Sequence, residues 1–109
     1  MKYIYIDNIK YKVGRNAKDN WKLLDESKPD EYFFHLSSFS SGYVIVETND
    51  LTDKIIYNAS LLCKDFTKYR SINNLKVDYC LCSNLTKTDK IGEVVYKKKR
   101  DVKQFKLTI

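Results

Sequence analysis

The sequence is poor in the residues that interrupt or cross-link a chain, with three glycines, one proline and three cysteines among 109 residues. The scarcity of glycine and proline excludes a linker-rich or low-complexity chain. No apolar run approaches the ~18 residues that a membrane span needs. The first residues, MKYIYIDNIKYK, also lack an apolar stretch of signal-peptide length. We therefore expect one folded domain in the cytoplasm, with no membrane segment.

Residues that bind metals or act as nucleophiles are equally scarce. The cysteines are odd in number, and His35 is the single histidine. Tetrahedral zinc takes four ligands, so no metal site is expected, and an odd set of thiols without a secretion signal indicates reduced cysteines. The sequence contains no G-x-S-x-G, Walker or H-E-x-x-H motif. We expect no enzymatic activity and no cofactor.

What the chain does have is an ordinary apolar content and a basic excess. Its hydrophobic fraction is 43%, which is enough for a single modest core. Lys and Arg together number 20 against 14 Asp and Glu, giving a net charge of +6. Such an excess steers a protein toward polyanions, although charge alone also serves solubility.

The first part of the chain predicts a hairpin followed by a short helix. Residues 3–6 and 9–13 alternate between apolar and polar, and Asp7-Asn8 suits a two-residue turn with positive φ. Gly14 ends the second strand, and Asn16 is a suitable N-cap for a helix over 17–24.

The rest of the chain predicts one long helix among further strands. Apolar residues recur at spacings of three and four from Thr52 to about Tyr69, which is a helical pattern. We expect "SNLTKTDK" to be a polar loop and the last two strands to be joined by "KKKRD". The fold class is then α+β, a mostly antiparallel sheet of about six strands packed against one long helix. The remaining strands are expected at 31–36, 43–48, 75–81, 92–96 and 102–109.

The segment "VGRNAKDN" is the first candidate for chemistry. Arg15 and Lys18 would lie at a helix N-terminus, where free backbone N–H groups attract anions. The guanidinium group also matches the geometry of phosphate oxygens. The alternative is a capped surface helix with two solvated cations.

Other polar loops offer similar groups. "SSFSSGY" supplies hydroxyls and a glycine that permits close approach of a ligand, and Lys87 and Lys90 lie in the next polar loop. RNA-binding surfaces combine such cations with aromatic rings, although a run of charges is more often a solvated face. The run near the C-terminus contains Lys97, Lys98, Lys99, Arg100 and Lys103, and the neighbouring aromatics are Trp21, Tyr32, Tyr43 and Tyr96.

Three stretches in order, "VGRNAKDN", "PDEYFFHL" and "SSGYVIV", resemble the NFACT-R domain, with its usual pattern V-G-R-N-x-x-x-N, D-D-x-W-F-H-V and G-S-H-V. The resemblance continues through "LKVDYCLCSNLTKT", "IGEVV" and "RDVKQFKL", so residues 1–109 are interpreted as one domain of this kind. The small stand-alone branch of the family is the most similar. Departures are Phe33 in place of Trp, Tyr43 in place of His, and Thr86 in place of a cation.

The resemblance implies a non-catalytic RNA-binding module of ribosome-associated quality control, with tRNA or rRNA of the large ribosomal subunit as partner. The basic loops alone leave two alternatives open, a protein-interaction adaptor and a DNA-binding module using the same surface. The predicted RNA-binding residues are Arg15, Asn16, Lys18, Asn20, His35, Ser41, Gly42, Tyr43, Lys87, Lys97, Lys98, Lys99 and Arg100.

Overall fold

The structure is a computed structural model that describes residues 1–109. It contains eight strands and two α-helices, with short 3₁₀ turns at Cys82–Asn84 and Lys99–Asp101. In chain order the elements are β1 (Lys2–Ile6), β2 (Ile9–Val13), α1 (Ala17–Glu26), β3 (Tyr32–Leu36), β4 (Val44–Val46), α2 (Asp53–Asp65), β5 (Lys76–Leu81), β6 (Leu85–Lys87), β7 (Val94–Tyr96) and β8 (Lys103–Lys106).

Six of the strands form one sheet in the order β1-β2-β4-β3-β5-β8, and every neighbouring pair is antiparallel. Strands β6 and β7 form a separate antiparallel hairpin. The predicted α+β class with a six-stranded antiparallel sheet is therefore confirmed.

The N-terminal hairpin and the helix that follows it form where the sequence predicts them. Asp7 and Asn8 have φ values of 51° and 66°, which is the left-handed conformation that a tight hairpin turn requires. The side chain of Asn16 accepts a hydrogen bond from the backbone N–H of Asp19 at 2.8 Å, and so caps α1.

The second helix is shorter than expected. It begins after Thr52, which accepts a hydrogen bond from the N–H of Ile55, and it ends at Asp65 rather than near residue 69. Beyond this point Thr67 is buried, and its hydroxyl donates to the carbonyl of Ser40 at 3.0 Å. The spacing of apolar residues continues past the end of α2, because Phe66 packs against the core although it lies outside the helix.

The C-terminal strands also differ from the prediction. Strand β7 pairs with β6, in the segment expected to be a loop, while β8 pairs with β5 at the edge of the main sheet. Asn84, just before β6, accepts a hydrogen bond from the N–H of Lys98 at 2.9 Å and donates one to the Lys98 carbonyl at 3.0 Å. These two bonds close the β6–β7 hairpin at its base, and so favour the pairing of β7 with β6. The "KKKRD" segment is thus a 3₁₀ turn between two strands that do not pair with each other.

The sheet is covered on both faces, and each face has its own core. Helix α2 packs on one face, where Tyr11, Phe34, Val44 and other residues are buried. Helix α1 and the β6–β7 hairpin cover the other face. Neither α1 nor α2 is long and apolar enough to cross a bilayer. The second core consists of Leu23, Phe33, Tyr43, Ile45 and Cys80, with Leu24, Leu85, Val94 and Tyr96 against it.

Candidate nucleic-acid interface

A groove of about 860 Å³ opens on the face of the sheet that carries α1. Its walls are the first turn of α1, the β3–β4 loop, the β6–β7 loop and the residues just after α2. Four segments that are distant in sequence therefore meet around one cavity. Pockets that bind small ligands commonly have this size, with a few polar groups set in an apolar lining.

Two glycines allow the segments to meet. A Cβ atom added to Gly42 would lie 1.6 Å from the carbonyl oxygen of Gly14, so no side chain fits where these chains cross. The N–H of Gly14 donates to the carbonyl of Tyr43 at 2.9 Å, which holds the crossing together. This close approach brings Arg15 beside the β3–β4 loop.

Asn20 fixes the same crossing from within α1. Its side chain is buried, and its Oδ1 accepts a hydrogen bond from the backbone N–H of Tyr43 at 3.0 Å. A Cβ atom on Gly14 would lie 2.2 Å from this oxygen. Asn20 borders the groove, but its oxygen already has a partner within the protein, so the geometry gives it a positioning role.

The first turn of α1 presents positive charge and free donors. The guanidinium of Arg15 and the ammonium of Lys18 form no ion pair. The backbone N–H groups of Ala17 and Lys18 have no partner within the protein. Asp19 shares this turn, but the N-terminal ammonium of Met1 lies 2.7 Å from its carboxylate and lowers its pKa. The turn is therefore suited to an anion.

The floor of the groove is aromatic. The His35 ring lies parallel to the Phe33 ring with 6.2 Å between centroids, and it meets Tyr43 edge-on at 5.4 Å. Burial lowers the pKa of His35, so its imidazole is neutral at pH 7. Burial also raises the pKa of Tyr43 to about 12, and the Tyr43 hydroxyl stays protonated and donates to the carbonyl of Gly92.

The β6–β7 loop forms the wall opposite the sheet. Gly92 has a φ of 81°, and a Cβ atom there would lie 2.5 Å from the Cβ of Ala17. Gly92 therefore holds the loop against both the first turn of α1 and the Tyr43 side chain. Lys90, Glu93, Val94 and Tyr96 complete this wall. Sequence reasoning assigned this wall no role beyond noting Lys90 and Tyr96 as a cation and an aromatic ring.

Asp78 is another groove residue to which the sequence analysis gave no role. It lies directly across the β3–β5 pair from His35 and borders the groove. Its carboxylate is half-buried and makes no hydrogen bond or ion pair within the protein. The alternation of "LKVDYCL" places Asp78 on the face of Cys80, opposite the core residue Val77, and this was the signal that could have identified it.

The predicted residues divide into two groups. The cations outside the groove are exposed. One of them, Lys87, forms an ion pair with Asp25, and its ammonium lies 4.4 Å from the centre of the Trp21 ring. Lys87 and Lys97 border a smaller hollow of about 220 Å³. The groove brings together Arg15, Asn16, Asn20, His35, Ser41, Gly42 and Tyr43, and outside it lie Lys18, Lys87, Lys97, Lys98, Lys99 and Arg100.

The protein resembles a solved structure in fold. The chain matches no protein-family model and no curated protein sequence. It is similar to a solved structure, the C-terminal part of the fibronectin/fibrinogen-binding protein from Streptococcus suis, with 27% identity and a TM-score of 0.86. The match covers 97% of this chain but only 43% of that one. The two proteins therefore share the α+β fold described above along nearly the whole of this chain.

Proposed function

We propose that this protein is a non-catalytic RNA-binding module in which the groove and the first turn of α1 bind the sugar–phosphate chain. One observation carries the proposal. The unpaired guanidinium of Arg15 lies beside the free backbone N–H groups of Ala17 and Lys18, at the rim of a groove with an aromatic floor.

Each part of this arrangement has a role in binding RNA. Arg15 donates two parallel hydrogen bonds to a phosphate, and the helix N-terminus adds backbone donors. The half-buried ring of His35, supported by the buried ring of Tyr43, offers apolar surface to an unstacked base. The net charge of +6 speeds the encounter with a polyanion.

The resemblance to the NFACT-R domain supports a structured partner. We propose tRNA or rRNA at the large ribosomal subunit, in the cytoplasm, as the RNA that the groove binds. The exposed cations at Lys97, Lys98, Lys99 and Arg100 then contact phosphates beyond the groove. Lys87 joins them when it exchanges the carboxylate of Asp25 for a phosphate.

Charge reversal at the rim tests the proposal. The double substitution Arg15→Glu with Lys18→Glu replaces attraction by repulsion at the phosphate site, so we expect RNA binding to be lost at ~0.15 M salt. Both side chains are exposed and unpaired, so the fold should be kept. Fluorescence anisotropy with a labelled tRNA measures the affinity, and circular dichroism measures the fold.

A matched control separates the site from the overall charge. Lys76 and Lys106 face each other across β5 and β8, and both are exposed and lie outside the groove. Their reversal to Glu changes the net charge by the same amount and should weaken binding only slightly. Equal losses in the two double variants, or full RNA affinity in a folded Arg15/Lys18 variant, would refute the proposed site.

A protein partner is the second candidate, and the similarity to the fibronectin/fibrinogen-binding protein from Streptococcus suis favours it. The same cations would then bind an acidic protein surface. Co-purification of a partner that survives nuclease treatment, or direct binding to immobilised fibronectin or fibrinogen with no affinity for naked RNA, would support this function. Competition between RNA and DNA of equal length in the anisotropy assay distinguishes the two polymers.

A further inference from the structure

We propose that Asp78 makes the groove selective for guanine, by accepting hydrogen bonds from the two adjacent donors on the Watson–Crick edge of that base. This inference rests on the proposed function, because it requires the groove to bind RNA. It adds a residue that recognises the base to a surface that would otherwise recognise only the backbone.

The position of Asp78 follows from the register of the sheet. Directly opposite residues in an antiparallel pair point to the same face, so Asp78 shares a face with His35, and Cys80 shares it with Phe33. This is the face that α1 and the β6–β7 hairpin cover. The Asp78 side chain therefore lies within the groove, next to the aromatic floor.

The carboxylate of Asp78 has no partner in the protein. An ionised carboxylate only accepts hydrogen bonds, and in the open groove water is its donor until a ligand replaces that water. The other polar groups of the floor do not supply one, because the Tyr43 hydroxyl donates to Gly92 and the Ser41 hydroxyl donates to the Gly42 carbonyl. A ligand with donors on a flat ring would meet this requirement.

The remaining lining indicates what kind of ligand this is. The lining includes the Arg15 cation, which suits a phosphate, and Asp78, an acceptor directly across the strand pair from the His35 ring. A nucleotide has an anionic end and a flat base. Guanine presents N1–H and the N2 amino group side by side, which matches the two oxygens of a carboxylate, whereas uracil presents one N–H between two carbonyl oxygens that the carboxylate repels.

The test compares three single-stranded RNAs of eleven nucleotides that differ only at the central position. Oligouridine is the reference, the second carries a central guanosine, and the third carries inosine, which lacks the N2 amino group. With the wild-type protein we expect the guanosine oligomer to bind roughly tenfold more tightly than oligouridine, with inosine between them. In Asp78→Asn we expect the guanosine preference to disappear.

Glu93→Gln is the matched control, because it removes the same charge from the same groove at a loop residue outside the six-stranded sheet. It should strengthen binding of all three oligomers equally and keep the order of preference. Equal affinity of the wild-type protein for all three oligomers would overturn the inference, whether or not the Asp78 variant folds. So would an Asp78→Asn variant that changes all three affinities by the same factor, as Glu93→Gln does.

The outcomes also separate this inference from the proposed function. If the oligomers bind without preference and the Arg15/Lys18 reversal abolishes that binding, the RNA site stands and guanine selection fails. If no RNA binds to the wild-type protein, the proposed function fails and the inference fails with it.

Discussion

At the scale of single residues, His35 has an environment that fixes its charge. Its ring lies parallel to the Phe33 ring and meets Tyr43 edge-on at the floor of the groove, and burial lowers its pKa. The imidazole is therefore a neutral ring at physiological pH, and any positive charge at the groove comes from Lys and Arg side chains such as Arg15. Tyr43, which stands where the NFACT-R pattern has histidine, is also neutral at physiological pH.

The depressed pKa of His35 makes stability depend on pH in a defined direction. The unfolded chain takes up a proton near the ordinary histidine pKa of 6.5, whereas the folded protein takes it up only at lower pH. Between these two values the unfolded state binds more protons, so the free energy of unfolding falls as the pH drops below about 6.5. We expect His35→Gln to remove this part of the pH dependence.

Urea unfolding of both proteins at about pH 7.5 and about pH 5.5 measures the effect. Since His35 is the single histidine, its ring protons give one resolvable NMR titration without assignment of the others. A wild-type protein that becomes more stable on acidification through this range, or an imidazole that titrates above 6.5, would contradict the expected burial.

At the scale of elements, the β6–β7 hairpin packs on the second core through its side chains, but few hydrogen bonds join it to the rest of the protein. The Tyr43 hydroxyl donates to the Gly92 carbonyl at its loop, and Asn84 binds Lys98 at its base. The hairpin is not part of the main sheet. We therefore expect it to open locally more easily than the six-stranded sheet.

Tyr43→Phe tests this expectation, because it removes the hydroxyl and keeps the ring. Loss of the hydrogen bond leaves the Gly92 carbonyl without its partner and should cost about 1–2 kcal/mol. Amide hydrogen exchange should accelerate in residues 85–96 more than in β3 and β5. Tyr57→Phe, at an exposed position on α2, is the control and should change neither quantity. Uniform acceleration across both sheets would mean that the hydroxyl stabilises the whole fold and not the hairpin.

The elements that could be predicted from the sequence are those with local signals. The first hairpin has its Asp7-Asn8 turn, and α1 has its Asn16 cap. Strand β6 had no such signal, because it has three residues and depends on a partner that follows it in the chain. The end of α2 was misplaced for a similar reason, since the bond from Thr67 to Ser40 joins segments that are distant in sequence.

At the scale of the whole molecule, the predicted cations fall into separate groups. Arg15 lies at the groove, whereas Lys97, Lys98, Lys99 and Arg100 form an exposed run beyond it. A groove that reads a base and an outer run that binds only phosphates should respond differently to salt. Counterion release makes affinity fall with salt by a slope of about 0.7 per phosphate contact on a single strand.

Neutralising the outer run separates these roles. Replacement of Lys97, Lys98, Lys99 and Arg100 by glutamine should reduce the slope of log affinity against log salt, because phosphate contacts are lost. The preference for a central guanosine should be unchanged, because Asp78 and the floor are intact. Anisotropy titrations over a range of salt concentrations measure both quantities. An unchanged slope would place the outer run outside the RNA-binding surface.

The composition of the groove could be predicted in part. Most of the residues singled out in the three early motifs, among them Arg15, His35 and Gly42, line one cavity, whereas Lys18 lies outside it. Asp78 and Glu93 were not. The alternation of the strand gives the face on which Asp78 lies, but not the cavity that this face borders, and Glu93 lies in a loop without such a pattern. Strand pairing and the docking of the hairpin decide that, and both depend on contacts between distant parts of the chain.

The crossing of Gly14 and Gly42 has a consequence for how such a domain diversifies. The two backbones are in direct contact there, so lengthening either connection displaces the other. Residues far from the crossing can change independently, whereas a change in backbone length next to Gly14 or Gly42 requires a matching change in the other segment. A protein engineer who transplants the first turn of α1 onto another scaffold will have to carry both crossing segments, since the Gly14 and Gly42 backbones are in contact.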